Sequence, residues 1–129
     1  MAWTVRNVFK KPGGDPLYEF FTTFPHQNKG LLKDPRILSV NIWRNLDRSI
    51  GLVFMTWENQ AIYNQWKIDN NVEHNESVPE AKQWATDRGI TILRQLPQAE
   101  DQNWSDPEYV IDGTLGYNRV TLEQIVSGE

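Results

Sequence analysis

The 129-residue chain contains no cysteine. Disulfides, thiolate metal sites and a thiol nucleophile are therefore excluded. Lysine and arginine never form a run, and the formal net charge is −4, so a nucleic-acid backbone is not the expected partner. No apolar stretch approaches membrane-spanning length, and the opening "MAWTVRNVF" lacks the apolar core of a secretory signal. A soluble, cytoplasmic protein without membrane contact is the expectation, and the sequons at Asn75 and Asn103 read as accidental. There are two histidines, His26 and His74, and no HxxxH pair or acidic cluster with metal-ligand spacing. "KPGGDP" lacks the Lys-Ser/Thr of a phosphate loop. No metal and no cofactor are expected.

What the chain does have is tryptophan: six of them, at positions 3, 43, 57, 66, 84 and 104. A buried tryptophan removes roughly 150–250 Å² from water, so a few can dominate the core of one domain. With 39% hydrophobic and 23% charged residues, the composition is that of an ordinary globular chain.

The pattern of elements is legible. "WTVRNVFK" alternates as a strand, with Trp3, Val5, Asn7 and Phe9 on its more apolar face. Asp15 followed by Pro16 is a helix start, an N-cap with proline at the first helical position. The helix that follows places Leu17, Phe20, Phe21 and Phe24 together, and Pro25 breaks it into a kinked or two-part segment reaching about Lys33. "DPRILSVNIWRN" and "SIGLVFMTW" are the second and third strands, joined by a hairpin connection over Asn45–Ser49. "ENQAIYNQWKID" has helical spacing, and "VPEAKQWATDRG" is a second helical piece, with Pro79 near its start and Gly89 past its end. "ITILRQLP" is the fourth strand. This order is βαββαβ, the ferredoxin-like arrangement with a four-stranded antiparallel sheet. Residues 1–97 form that domain. Residues 98–129 are a C-terminal extension of it: a polar loop, then either two strands around an Asp112-Gly113 turn or a strand and a short helix.

One stretch, "TWENQAIYNQW", carries more aromatic surface than one core stripe needs. On a helical wheel with Ala61 at zero, Trp57, Ile68 and Val72 fall together as a core stripe. Ile62, Tyr63 and Trp66 form a second patch beside it. That patch reads as cover for a neighbouring element, a subunit interface or the rim of a ligand pocket. The strands carry a related feature. Trp3, Val5, Phe9 and Trp43 share strand faces with the amides of Asn7 and Asn41, and an apolar face with a few placed amides resembles a closed binding cavity. In a ferredoxin-like unit the helices cover one face of the sheet only, so an apolar second face bearing Val5, Phe9 and Trp43 predicts a homodimer joined through it.

The βαββαβ order, and strand three running at once into "LVFMTWENQAIYNQW", resemble the dimeric α+β-barrel superfamily that includes the antibiotic-biosynthesis monooxygenases. The resemblance spans about residues 2–97. It implies two ferredoxin-like sheets packed face to face, with a small-molecule cavity in each subunit between sheet and helices. Members include cofactor-independent oxygenases, heme-degrading enzymes, isomerases and proteins without known activity. In the heme-degrading branch an asparagine on the first strand, a tryptophan on the helix and a later histidine hold the heme. Asn7 and Trp66 match the first two. His74 falls two residues short, a continuous helix would put Glu76 at the ligand position, and Glu73 and Glu76 would repel propionates, so heme binding is not expected.

Two classes of function follow. One is a cofactor-independent monooxygenase-like enzyme, with Asn7, Trp66 and His74 as candidate catalytic residues and Asn7, Asn41, Tyr63 and Trp66 lining the site for a small apolar or aromatic ligand. There the substrate itself supplies electrons to oxygen, and the protein supplies orientation and hydrogen bonds to a developing anion. The other is a non-catalytic dimeric binding or structural protein of the same fold. His26, where the first helix breaks, is a further acid or base candidate at a pocket mouth.

Overall fold

The computed structural model describes residues 2–25, 32–96 and 116–129. In chain order the elements are β1 (Trp3–Lys10), α1 (Pro16–Thr23), β2 (Ile37–Arg44), β3 (Ile50–Trp57) and α2 (Gln60–Asp69). They continue with α3 (Val72–Ser77), α4 (Pro79–Arg88), β4 (Thr91–Gln95), β5 (Asn118–Val120) and α5 (Leu122–Ser127). The strands form one sheet in the order β4-β1-β3-β2-β5, and every pairing is antiparallel. The sheet thus has five strands where the sequence pattern gave four. The fifth, β5, from the C-terminal extension, adds to the edge of β2 through Ile42, Trp43 and Arg44. Its continuation into α5 is the strand-then-helix alternative for the extension. The Asp112-Gly113 turn, His26 and residues 26–31 of the proposed kinked helix lie outside the described residues.

Local signals set several boundaries. The Asp15 carboxylate accepts the Tyr18 N–H at 3.2 Å, with Pro16 at the first helical position, and so fixes the start of α1. Gly89, at φ +65°, closes α4 in the left-handed conformation that glycine adopts without strain. Thr121 and Gln124 cap α5 reciprocally. At Gly51 on β3 the reason for glycine is proximity, because a Cβ there would stand 2.1 Å from Leu17 Cγ. The missing side chain lets α1 lie close on the sheet.

The helices cover the sheet face that carries Val5 and Phe9 of β1, Ile42 of β2, and Val53 and Met55 of β3. These pack with Leu17, Phe21, Tyr63, Trp66 and Ile125 in one core. This corrects the expectation that Val5 and Phe9 belong to the helix-free face. Helices settle on the face with the larger apolar area, and the odd positions of β1 present more of it than Thr4, Arg6, Val8 and Lys10. The opposite face holds a smaller buried cluster of Val8, Leu52 and Phe54, with Trp43, Ile50 and Tyr117 packed against it.

The helical wheel needs a second correction. Trp57 is the last residue of β3, and Asn59 caps α2 by accepting the Ile62 N–H at 2.9 Å. With Trp57 outside the helix, Tyr63 and Trp66 are the buried residues of α2. Ile68, assigned to the core stripe, is 68% exposed. The patch that looked surplus is the core stripe itself.

Candidate functional site

Between the sheet and the helices lies a cavity of about 380 Å³, within the roughly 300–1,000 Å³ span of small-molecule sites. Asn7, Phe9, Val53 and Met55 form its floor, and Ile92 and Arg94 of β4 form one side. Phe20 and Phe21 of α1 and Phe24 at its C-terminal cap wall it on one side, with Ala81 and Ala85 from α4, and Trp66 and Val72 from α2 and α3. The wall is held by aromatic contacts. Phe20 stacks obliquely on Phe9 at 4.8 Å between centroids, and Phe24 meets the Trp84 ring edge-on at 5.0 Å. Trp84 Nε1 donates to Thr23 Oγ1 at 2.9 Å, tying α4 to α1. Two alanines one turn apart on α4 leave the space that larger residues would fill.

The polar lining residues are Asn7, Glu76, Lys82 and Arg94. Asn7 and Arg94 are directly paired across β1 and β4, so both side chains share the helix-covered face. Arg94 Nε donates to Asn7 Oδ1 at 3.4 Å, and Arg94 Nη2 binds the Glu76 carboxylate. The helix breaks before Glu76. Asn71 takes the left-handed conformation at φ +51°, and α3 restarts at Val72, one turn before Glu76.

Behind Trp66 lies a cluster of rings. Trp57 is 5.0 Å from Trp66 and 4.7 Å from Tyr63, centroid to centroid. The indole N–H groups of Trp57 and Trp66 and the Tyr63 hydroxyl are buried without hydrogen-bond partners. Burial pushes the Tyr63 phenol above its ordinary pKa, and the Arg94 and Lys67 cations offset this only in part. Lys67 sits over the Tyr63 ring at 4.9 Å.

The structure brings together two of the residues expected at a site, Asn7 and Trp66. Tyr63 backs the site from the adjoining cluster and does not line the cavity. Asn41 is on the other face of the sheet, where its Oδ1 accepts from Arg119 Nη2 at 2.7 Å. Side-chain alternation along β2 puts it there, because its neighbour Ile42 takes the core side. His74 is exposed on α3 and is not among the cavity-lining residues, whereas Glu76 is. Among the described residues no group of three or more His, Cys, Asp or Glu could hold a metal ion. Arg94, Lys82 and the phenylalanines Phe20, Phe21 and Phe24 were not expected from sequence as pocket residues. For Arg94 a signal existed: a cation two residues from Ile92, on the face of an edge strand that turns toward the core.

No protein-family model matches this chain, and no curated protein matches it. Two solved structures are similar. One is a conserved protein of unknown function and possible oxidoreductase from Bacteroides thetaiotaomicron, 9% identical, covering 74% of this chain and 97% of its own, with a TM-score of 0.38. The other is Rv0793 from Mycobacterium tuberculosis, 11% identical, covering 79% of this chain and 100% of its own, also with a TM-score of 0.38. At these values neither carries anything about activity to this chain. The chain itself is an α+β protein with a five-stranded antiparallel sheet, and no described helix is long and apolar enough to cross a membrane.

Proposed function

We propose that this protein binds a small, largely apolar molecule in the cavity beside Asn7 and Trp66, on a ferredoxin-like βαββαβ unit extended by β5 and α5. The observation that carries the reading is the cavity's composition: aromatic and aliphatic walls with four polar side chains, three of them joined to one another. Such a site orients an apolar ligand by one polar contact. The strand order β4-β1-β3-β2, with α1 and α2–α4 as the two crossovers, supports the ferredoxin-like part.

Catalysis as a cofactor-independent monooxygenase extends the same reading. Asn7 and Arg94 are donors that could hold a substrate anion while the substrate gives electrons to oxygen. A homodimer belongs to the proposal on altered grounds: a second copy would cover Leu93, 45% exposed, and the half-buried Trp43 and Ile50 on the helix-free face. Sedimentation at micromolar concentration then reports about 30 kDa, twice the 15.1 kDa chain. A 15 kDa species overturns the dimer alone.

Thermal shift against a panel of small aromatic compounds tests the binding reading. A ligand of the folded state stabilises by RT ln(1 + [L]/Kd). Compounds that raise the Tm of the wild type and not of a cavity-filled Ala81→Leu variant support the site. A panel without effect, or an equal effect on both proteins, refutes it. Oxygen uptake with a bound electron-rich phenol, lost in Asn7→Ala, separates an enzyme from a binding protein.

A further inference from the structure

We infer that the cavity selects a monocarboxylate with a compact apolar body, held by Arg94, and that Glu76 is an internal competitor for that cation. The inference rests on the binding reading above and adds the ligand's charge and the residues that read it. Arg94, Lys82 and Glu76 bring two positive charges and one negative charge to the cavity, leaving one excess cation in a chain of net charge −4. Lys82 makes no ion pair among the described residues. Arg94 uses Nε on Asn7 and Nη2 on Glu76, and among the described residues its Nη1 has no partner. Nη1, with the second hydrogen of Nη2, is therefore the edge of the guanidinium fork left to meet a carboxylate in bidentate geometry.

The Glu76 pairing does not close the site. Its side chain is 47% exposed and that of Arg94 29%, and an exposed pair of this kind is weak. An incoming carboxylate whose apolar body is buried among Phe20, Phe24 and Trp66 has the hydrophobic contribution that Glu76 lacks. A dianionic phosphate fits less well, because Glu76 would repel it and a single fork with one lysine supplies few of the donors it needs. A neutral ligand leaves the excess cation uncompensated.

The test is calorimetric titration of the full chain with 1-naphthaleneacetate and with its neutral isostere 1-naphthaleneacetamide, at low salt and neutral pH. The wild type should bind the acid roughly tenfold more tightly than the amide, as expected for a charge-assisted bond. Arg94→Met should abolish that preference while keeping amide binding. Arg94→Lys should retain part of it. Glu76→Gln should strengthen acid binding several-fold and leave the amide unchanged, a result that loss of structure cannot imitate. Equal binding of both compounds, or a preference that survives Arg94→Met, overturns the inference and leaves the cavity reading standing. If neither compound binds any variant, both fall together.

Discussion

Replacing Ala81 by leucine probes the cavity without any ligand. Ala81 lines the cavity and is only 4% exposed, so the added atoms have nowhere to go but inward. Three further carbons at about 0.8 kcal/mol each contribute about 2.4 kcal/mol if they enter empty apolar space. Fixing the new rotamer costs about 0.5–1 kcal/mol, and the helix-propensity change is a few tenths. The balance is about 1.5 kcal/mol in favour of the variant, or roughly 3–6 °C in Tm for a chain of this size. In a close-packed interior the same substitution would force off-rotamer side chains and cost about 1–3 kcal/mol. The two cases differ in sign. Urea unfolding of both proteins, with the slope checked for constancy, gives the difference directly. Destabilisation by 1 kcal/mol or more would refute the cavity as drawn.

Other expectations come from the packing and the charges. Gly51→Ala puts a methyl 2.1 Å from the fully buried Leu17 side chain, and should cost at least about 1–3 kcal/mol in urea unfolding; a neutral result would mean that α1 does not lie on β3 there. Tyr63→Phe removes a buried hydroxyl that has no partner and should be neutral or stabilising, within about 1 kcal/mol. Because burial raises the Tyr63 pKa, the unfolded chain ionises first. Stability is then complete below about pH 10 and falls as pH rises past it. A tyrosinate absorbance titration should show a late step for Tyr63, and Tyr63→Phe should remove that step. Arg36 binds Asp34 at 2.9 Å and Asp69 at 2.6 Å, holding both carboxyls below their usual range. Any stability lost in Arg36→Met should therefore be present at neutral pH and vanish as pH falls below about 4.

The strands and the helix starts could be read from sequence because each has a local cause. Asp15-Pro16 and Gly89 act within one turn, and β1 alternates with a single interruption at Asn7. The choice of sheet face is not local. In "IGLVFMTW" both faces of the central strand are apolar, so alternation cannot say which one the helices take. That choice depends on total area across three strands. Trp57 shows a related limit, since an aromatic residue at a strand–helix junction fits either period until the cap at Asn59 is located. The asparagine-rich "DNNVEH" is a poor helix sequence: the helix breaks at Asn71, His74 stays exposed and Glu76 lines the cavity. Asn7, an amide on an apolar strand face, and Trp66, in the aromatic patch, are visible in the sequence, whereas Arg94 meets them only through the β1–β4 register, which no short window of sequence contains.

The most direct test of the central claim is the indole region of a ¹H–¹⁵N spectrum during titration with 1-naphthaleneacetate. Six tryptophans give separate indole signals that mutation can assign. The account predicts that the Trp66 signal moves most, together with the backbone amides of Asn7, Ala85 and Ile92. The signal of Trp43, on the opposite sheet face, should stay in place, as should that of Trp84, whose Nε1 is bonded to Thr23. Shifts centred on Trp43, or no shift at Trp66 on saturation, would contradict it.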